Sequence, residues 1–389
     1  MGRIVMHCDM DRFFASVAEK DHPAYRRRPI AICGNPAMRH TIVMSANAPA
    51  KACGVRAGLR YADARQLCPD LCYVEADYDR YLAEAAAARA VYARYADAVV
   101  PYGMDEAWLI FRDLPWKEAE QIAELIRLEI KYTMVLSASL GVADNLIFAK
   151  IGSDLNKPGG IAVITPENYR QTVWPLPASA LLFVGDVREQ ALRYAGIRTV
   201  GDVAQADPAF LTKRLKSKVG YDLWQFANGR DRSFDPAVTD ARSLSHTITP
   251  PADLRSNEEA GAVVFMLAST IGARLKKHGT RGKTIGICLR DSQFNKKIRQ
   301  CTLPQPTDSI NLIFNRAYGL FLKHWRWDRT LRSVGLRIGG LDDSGQLSLF
   351  AGEDAVQDAA AAAARANVRR LTARLGKLKV ERTASSREW

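Results

Sequence analysis

Apolar and polar positions follow two different periods along this chain, and the changes between them divide it into elements. Residues 3–8 form an apolar run of strand length, and Phe13–Glu19 begins a helix. Pro29–Gly34 and Thr41–Ser45 are short apolar runs separated by turn residues, which predicts two strands. Residues 61–68 predict a helix. Asp79–Ala98 is Ala-rich with Tyr81, Val91, Tyr92 and Tyr95 near helical spacing, which predicts one long helix. Ala98–Phe111 predicts a hairpin turning near Gly103–Asp105, Trp116–Tyr132 a helix and Leu136–Val142 a strand. Asn145–Leu155 predicts a helix stopped by Lys157-Pro-Gly-Gly160, and Ile161–Ile164 a further strand. This β-α-β-β-α-β order suggests a split βαβ, ferredoxin-like sheet with residues 11–73 inserted after its first strand. Past Thr165 the pattern shortens. Ala180–Ala195 and Val200–Ala206, with Gly185 and Gly196 at turns, suit a helix-hairpin-helix, whose backbone N–H groups grip a phosphate. Residues 229–241 read as a polar linker. A strand (243–249), a helix (257–278), two strands (283–290 and 297–303), a helix (308–323) and a strand (331–338) then repeat the same order. From Asp342 the chain reads as a tail.

At 389 residues the chain exceeds one hydrophobic core and is expected to hold two to four domains. Its opening residues read as a core strand rather than a signal peptide, and Met6 breaks the myristoylation pattern that Gly2 begins. No apolar stretch reaches membrane-spanning length, so no membrane association is expected. The seven cysteines are scattered, and Cys68 and Cys72 have no His or Cys partner nearby, so they read as reduced thiols of a cytoplasmic protein and not as a zinc site.

Charge changes the picture more. The formal net charge is +13, an excess that suits a polyanionic partner. It is concentrated: residues 243–342 hold sixteen Lys and Arg against seven Asp and Glu. A localised basic footprint points to nucleic acid.

Two acidic runs carry the candidate chemistry. Arg3-Ile-Val-Met-His-Cys-Asp-Met-Asp-Arg-Phe-Phe14 and Val99-Val-Pro-Tyr-Gly-Met-Asp-Glu-Ala-Trp-Leu-Ile-Phe111 are strand-like and reach carboxylates. Ionised carboxylates are rarely placed in a sheet interior unless a cation or a base compensates them. Taken alone, either run fits solvated carboxylates at a strand end equally well. Laid side by side, the two bring Asp9, Asp105 and Glu106 together as hard oxygen donors suited to Mg²⁺, and two such ions would catalyse in-line displacement at phosphorus.

Asp9-Met-Asp-Arg-Phe-Phe-Ala-Ser-Val, Ser45-Ala-Asn47, Cys53-Gly-Val-Arg-Ala-Gly58, Met104-Asp-Glu-Ala107, Phe148-Ala-Lys-Ile-Gly-Ser-Asp-Leu-Asn-Lys-Pro-Gly159 and Gly196-Ile-Arg-Thr-Val-Gly-Asp202 stand in fixed order. They resemble the signature blocks of Y-family DNA polymerases, in particular the bacterial DNA polymerase IV branch, over about residues 1–350. The resemblance implies an α+β, right-hand polymerase. Its parts would be a ferredoxin-like palm (1–10 and 74–166), small fingers (11–73), a helical thumb (167–230), a linker (231–242), a βαββαβ little finger (243–341) and a tail (342–389).

The activity it implies is template-directed DNA synthesis from dNTPs by two-metal nucleotidyl transfer, of low fidelity and serving lesion bypass in bacterial DNA repair. By resemblance, Asp9, Asp105 and Glu106 are the catalytic carboxylates and hold two Mg²⁺ (Mn²⁺ being possible) with the carbonyl of Met10. Asp11 is then a structural hydrogen-bonding residue. The incoming nucleotide would meet Phe13 and Phe14, with Phe14 against its sugar, and Ser45, Lys51 and Lys157 at its phosphates. Tyr and Arg are usual at positions 48 and 51, where this chain has Ala48 and Lys51, and Phe183 stands where such hairpins usually have Gly. Lys276, Lys277, Arg281, Lys283, Arg290, Lys296, Lys297 and Arg299 would contact primer-template DNA. Gln346, Leu347, Leu349 and Phe350 resemble the bacterial sliding-clamp-binding peptide. The protein is expected to be a monomer. Two rival readings are a catalytically silent scaffold that binds DNA and the clamp, and a different enzyme, such as a nucleotide cyclase, on the same palm.

Overall fold

In the computed structural model, which describes residues 3–34, 41–231 and 243–342, the first strand β1 (Ile4–Met10) is buried along its whole length. Such burial requires neighbours on both edges and cover on both faces. Helix α1 (Phe13–Asp21) follows, then β2 (Ile30–Cys33), β3 (Val43–Ala46), α2 (Ala48–Ala52), α3 (Tyr61–Leu67) and β4 (Cys72–Glu75). The inserted strands form their own sheet, ordered β3-β2-β4, around a small core of Ala31, Val43, Val55 and Leu71. Buried Asn47 ties this insert together: its Oδ1 accepts from Ile30 and Ala50 N–H, and its Nδ2 donates to the Tyr25 and Arg28 carbonyls.

The chain returns through α4 (Tyr78–Tyr92), the hairpin β5 (Ala98–Tyr102) and β6 (Glu106–Phe111), α5 (Trp116–Glu129), β7 (Ala138–Ala143), α6 (Leu146–Leu155) and β8 (Ile161–Val163). The sheet order is β5-β6-β1-β7-β8, so the first four strands have ferredoxin-like connectivity and β8 adds a fifth, parallel to β7. Period-two alternation of β1 sets the two faces. Ile4, Met6, Cys8 and Met10 join the core with Tyr81, Ala85, Ala123 and Ile126 of α4 and α5. Val5 packs with Ile147, Phe148 and Ile151 of α6 on the other face, the face to which His7 and Asp9 belong. Gly141 of β7 allows α6 to lie against the sheet, because a Cβ there would stand 2.0 Å from the Ala149 carbonyl.

One expectation differs from the structure, and one strand has no counterpart in the sequence reading. The predicted helix 79–98 ends at Tyr92, because the sheet claims the residues that follow: Asp97 N–H donates to the Ile110 carbonyl. Strand β4 lacks a sequence signal, being a short, half-buried run that is ordered only by parallel pairing with β2.

Five short helices, α7 (Tyr169–Thr172), α8 (Asp186–Arg193), α9 (Val200–Gln205), α10 (Pro208–Leu215) and α11 (Val219–Ala227), pack around Leu192, Val203, Leu211 and Phe226. Phe183 takes the left-handed backbone that the missing glycine would have supplied, at φ 72°, with Arg188 Nη1 donating to its carbonyl at 2.6 Å. The turn before α8 therefore survives the substitution.

The second compact unit runs through β9 (Ser243–Ile248), α12 (Asn257–Lys277), β10 (Arg281–Asp291), β11 (Lys296–Thr307), α13 (Ile310–His324) and β12 (Leu331–Asp342). The order along the chain is β-α-β-β-α-β, as predicted, and each helical crossover skips one strand as in the first sheet, but the sheet order β11-β10-β12-β9 pairs the second and fourth strands at its centre where the first sheet pairs its first and third. Ile285, Ile287, Leu289, Leu336 and Ile338 face the two helices. The opposite face carries Thr284, Gly286, Cys288 and Arg290 against Gly339, Arg337, Gly335 and Ser333.

Candidate active site

Strand register builds the site. Asp9 of β1 stands opposite Glu106 of β6, and Met10 N–H donates to the Asp105 carbonyl at 3.0 Å. Directly opposed residues of an antiparallel pair share a face, so Asp9 and Glu106 lie together, with Asp105 at the turn beside them. All three line a cavity of about 550 Å³ with Met10, Arg12, Phe13, Phe14, Ser45, Lys51, Arg56 and Lys157. A cavity of that size accommodates a nucleotide-sized ligand.

The carboxylates repel one another. Burial and the charge of Glu106 raise the Asp9 carboxyl above its usual range. Burial, with the charges of Asp9 and Glu106, pushes Asp105 up to about 6. Two lysines partly compensate. Lys150 Nζ of α6 lies 3.0 Å from Glu106 Oε2 and 3.3 Å from Asp9 Oδ2, and Lys157 Nζ lies 2.7 Å from Asp9 Oδ2. Burial disfavours both ammonium charges, but the facing carboxylates outweigh it and raise both lysines. Among the described residues no group of three His, Cys, Asp or Glu side chains is gathered into a ready-made metal cage. The donor set nonetheless fits a hard divalent cation: its oxygens are carboxylates that repel one another, and ammonium groups stand where positive charge is needed.

Asp11 is occupied differently. Its oxygens accept from Ser137 Oγ at 2.6 Å, Ser139 Oγ at 2.8 Å and Gly159 N–H at 2.8 Å. It bolts the end of β1 to β7 and to the turn that carries Lys157, as a structural residue.

The aromatic pair divides by burial. Phe13 is core, at 2% exposure. Phe14 is half-buried, with its ring 4.4 Å from that of Tyr81, and it lines the cavity. Ser45 and exposed Lys51 line it from the insert.

Sequence reasoning missed the group behind the carboxylates. His7 is fully buried, with Nδ1 2.8 Å from Ser153 Oγ and Nε2 3.3 Å from Glu106 Oε2. Burial and the Lys150 charge hold it well below the usual histidine range. Asp154 Oδ1 lies 2.6 Å from Lys157 Nζ. Lys150 had one signal, a lone charge interrupting the apolar run Leu146–Ile151.

In the second unit the basic residues sort by register. Arg290 pairs with Lys296 on the face away from the helices, whereas Lys297 and Arg299 pair with the core positions Leu289 and Ile287 at the sheet edge. Lys276 and Lys277 end α12, and Arg281 and Lys283 begin β10. Arg337, which the sequence did not single out, is exposed at the middle of the face that carries Arg290. The candidate clamp residues 346–350 lie outside the described residues. Among the described residues, no helix is long and apolar enough to cross a membrane.

Residues 8–154 match the impB/mucB/samB family, and residues 241–349 match the impB/mucB/samB family C-terminal domain. The chain is 37% identical over 359 residues to the DNA polymerase IV of Acetivibrio thermocellus, covering 90% of each chain. It is 32% identical over 327 residues to DNA polymerase IV 1 of Bacillus subtilis, covering 83% of this chain and 79% of that one. A solved Y-family DNA polymerase chimera, Dbh-Dpo4(243-245)-Dbh, shares the fold with a TM-score of 0.76 at 23% identity, covering 87% of this chain and 98% of that one. The three carboxylates thus sit within the segment that the family model matches, on an α+β architecture, and this chain belongs to the impB/mucB/samB family as a DNA polymerase IV-like member of the Y-family.

Proposed function

We propose that this chain synthesises DNA on a template from deoxynucleoside triphosphates, with the cavity around Asp9, Asp105 and Glu106 as its nucleotidyl-transfer centre. The observation that carries this reading is the register of Asp9 against Glu106, which puts three mutually repelling carboxylates and Lys157 into one cavity. Asp9, Asp105, Glu106 and the carbonyl of Met10 would hold divalent cations, Mg²⁺ in the cell. Bound there, two such ions would supply charge neutralisation at the phosphates and acidify a hydroxyl nucleophile.

The protein's own groups do the rest. Lys157, Ser45 and Lys51 bind the triphosphate. Phe14, with its ring against Tyr81, packs against the sugar and excludes a 2′-hydroxyl, with Phe13 as the core support beneath it. Lys51 offers a point charge without the bidentate fork of Arg, so the grip from the insert is weaker than the usual one. The basic side of the second unit, with Lys276, Lys277, Arg281, Lys283, Arg290, Lys296, Lys297 and Arg299, takes the DNA backbone through sequence-independent, salt-sensitive contacts. Gln346, Leu347, Leu349 and Phe350 dock on the sliding clamp. The protein works as a monomer in the cytoplasm and serves low-fidelity lesion bypass.

Primer extension with Mg²⁺ and dNTPs, run beside Asp105→Ala, tests the reading. Extension by the wild type and its loss in the variant are expected. A wild type that binds primer-template and a clamp-derived groove but adds no nucleotide would leave the scaffold reading in its place.

A further inference from the structure

Four cations line the cavity: Arg12, Lys51, Arg56 and Lys157. Lys157 is already paired with Asp9 and Asp154. Lys51 and Arg56 are exposed on the insert. Arg12 differs from all three. It is half-buried, its Nε is shielded from solvent with no hydrogen-bond partner, and its guanidinium forms no ion pair among the described residues. A buried guanidinium nitrogen left without an acceptor loses its hydration without return.

The backbone makes the same point independently. Arg12 sits at φ 51°, ψ 39°, between β1 and α1, a conformation that glycine or asparagine adopts far more readily. As the N-cap of α1 it makes no side-chain capping bond, so the helix gains nothing from an arginine there. Neither an ion pair nor capping explains this side chain. An anion in the cavity does. The arginine fork matches phosphate oxygens two at a time, and the neighbouring insert has Ala48 and Lys51 at its grip, with the exposed Arg56 as the fork it brings to the cavity.

We propose that Arg12 is a phosphate-binding residue of this cavity, taking non-bridging oxygens of the incoming triphosphate from the side of α1 and offsetting the weakened grip of residues 48 and 51. The inference rests on the nucleotidyl-transfer reading above and adds to it a half-buried fork on the α1 side of the cavity.

The full chain carrying Arg12→Gly or Arg12→Lys tests it. Glycine suits the left-handed backbone, so the cation is lost without added strain, and lysine keeps the charge without the fork. Affinity for dATP is measured calorimetrically with Ca²⁺ and primer-template, alongside KM and kcat for single-nucleotide insertion with Mg²⁺. Arg12→Gly is expected to weaken dATP binding and raise KM about tenfold with kcat changed less than about threefold, while primer-template affinity stays at the wild-type value. Arg12→Lys should fall between. Unchanged dATP affinity in Arg12→Gly overturns the proposal, and so does an equal loss of primer-template and dATP binding, which marks a general disturbance. If the wild type binds dATP, loses that binding on Arg12→Gly and yet extends no primer, Arg12 stands as a phosphate ligand and the polymerase reading falls.

Discussion

The ammonium of Lys157 bridges two carboxylates, 2.7 Å from Asp9 Oδ2 and 2.6 Å from Asp154 Oδ1. In the ligand-free protein it therefore supplies at Asp9 the positive charge that a divalent cation would bring. Removing it has two effects of opposite sign. Lys157→Met is expected to tighten Mn²⁺ binding by a few-fold, because a competing cation is gone, and to raise the KM for dNTP about tenfold, because a phosphate ligand is gone. Mn²⁺ titration by electron paramagnetic resonance and single-nucleotide kinetics read the two effects separately. Weaker Mn²⁺ binding in the variant would contradict the competition.

Asp105 gives the metal-free protein a pH dependence. Its folded-state pKa is raised to about 6 from 3.8, burial being the largest cause and Asp9 and Glu106 the next. A carboxyl raised on folding stabilises the fold below its unfolded value, and that contribution is lost as pH rises through the folded value. In EDTA the melting temperature is thus expected to fall between pH 4 and pH 7, by on the order of 1–2 kcal/mol of stability once the partial exposure of Asp105 is allowed for. Asp105→Asn should flatten the profile, and added Mg²⁺ should reverse the loss. An unchanged slope in Asp105→Asn would assign it to another group.

Asp11 accepts from three donors. Asp11→Ala leaves the buried Ser139 hydroxyl and the half-buried Ser137 hydroxyl without their acceptor, while Gly159 N–H keeps Ser139 Oγ at 2.9 Å, which is expected to cost about 1–3 kcal/mol in urea unfolding. Asp11→Asn, able to accept on one side only, should cost less. A destabilisation under about 0.5 kcal/mol would mean that these bonds are not formed in solution.

The ring of Phe14 lies 4.4 Å from that of Tyr81 and lines the cavity. Phe14→Ala should raise ribonucleotide insertion relative to deoxyribonucleotide by about 100-fold or more, with dNTP insertion reduced far less. Competition between rATP and dATP in single-nucleotide insertion measures it. Sugar discrimination equal to that of the wild type would remove Phe14 from the nucleotide site.

Arg290, Lys296 and Arg337 share the sheet face that the helices leave uncovered. If they meet DNA phosphates, each change to Ala should lower the salt dependence of binding, log Kd against log salt, by about one unit of slope, with no change in sequence preference. Lys297 donates to the His324 carbonyl and stands at the edge, so Lys297→Ala should lower the slope less. Equal effects at all four positions would mean that the edge is in contact as well.

The sequence by itself determined the βαββαβ order of the two sheets' elements and the three candidate carboxylates. Those features are local or periodic: apolar alternation in β1, helical spacing in α5 and α6, and acidic residues at the end of an apolar strand or at a hairpin turn. It also separated Asp11 from the other carboxylates, though only through resemblance. Tertiary structure decided which residues meet. Asp9 faces Glu106 because β6 returns antiparallel beside β1, and β1 sits centrally because β7 closes its other edge. Lys150 and Ser153 reach the site only because Gly141 lets α6 approach the sheet backbone. Strand β4 and the end of α4 were set by pairing with partners far along the chain, and the sheet order of the second unit by crossovers that each skip a strand. Arg12 shows the same division most sharply. Along the chain it is one more basic residue, and only a left-handed backbone and a buried, unpaired nitrogen mark it out. Sequence periodicity reports what each residue prefers locally, whereas charge, burial and hydrogen-bond satisfaction belong to the neighbours that folding brings together.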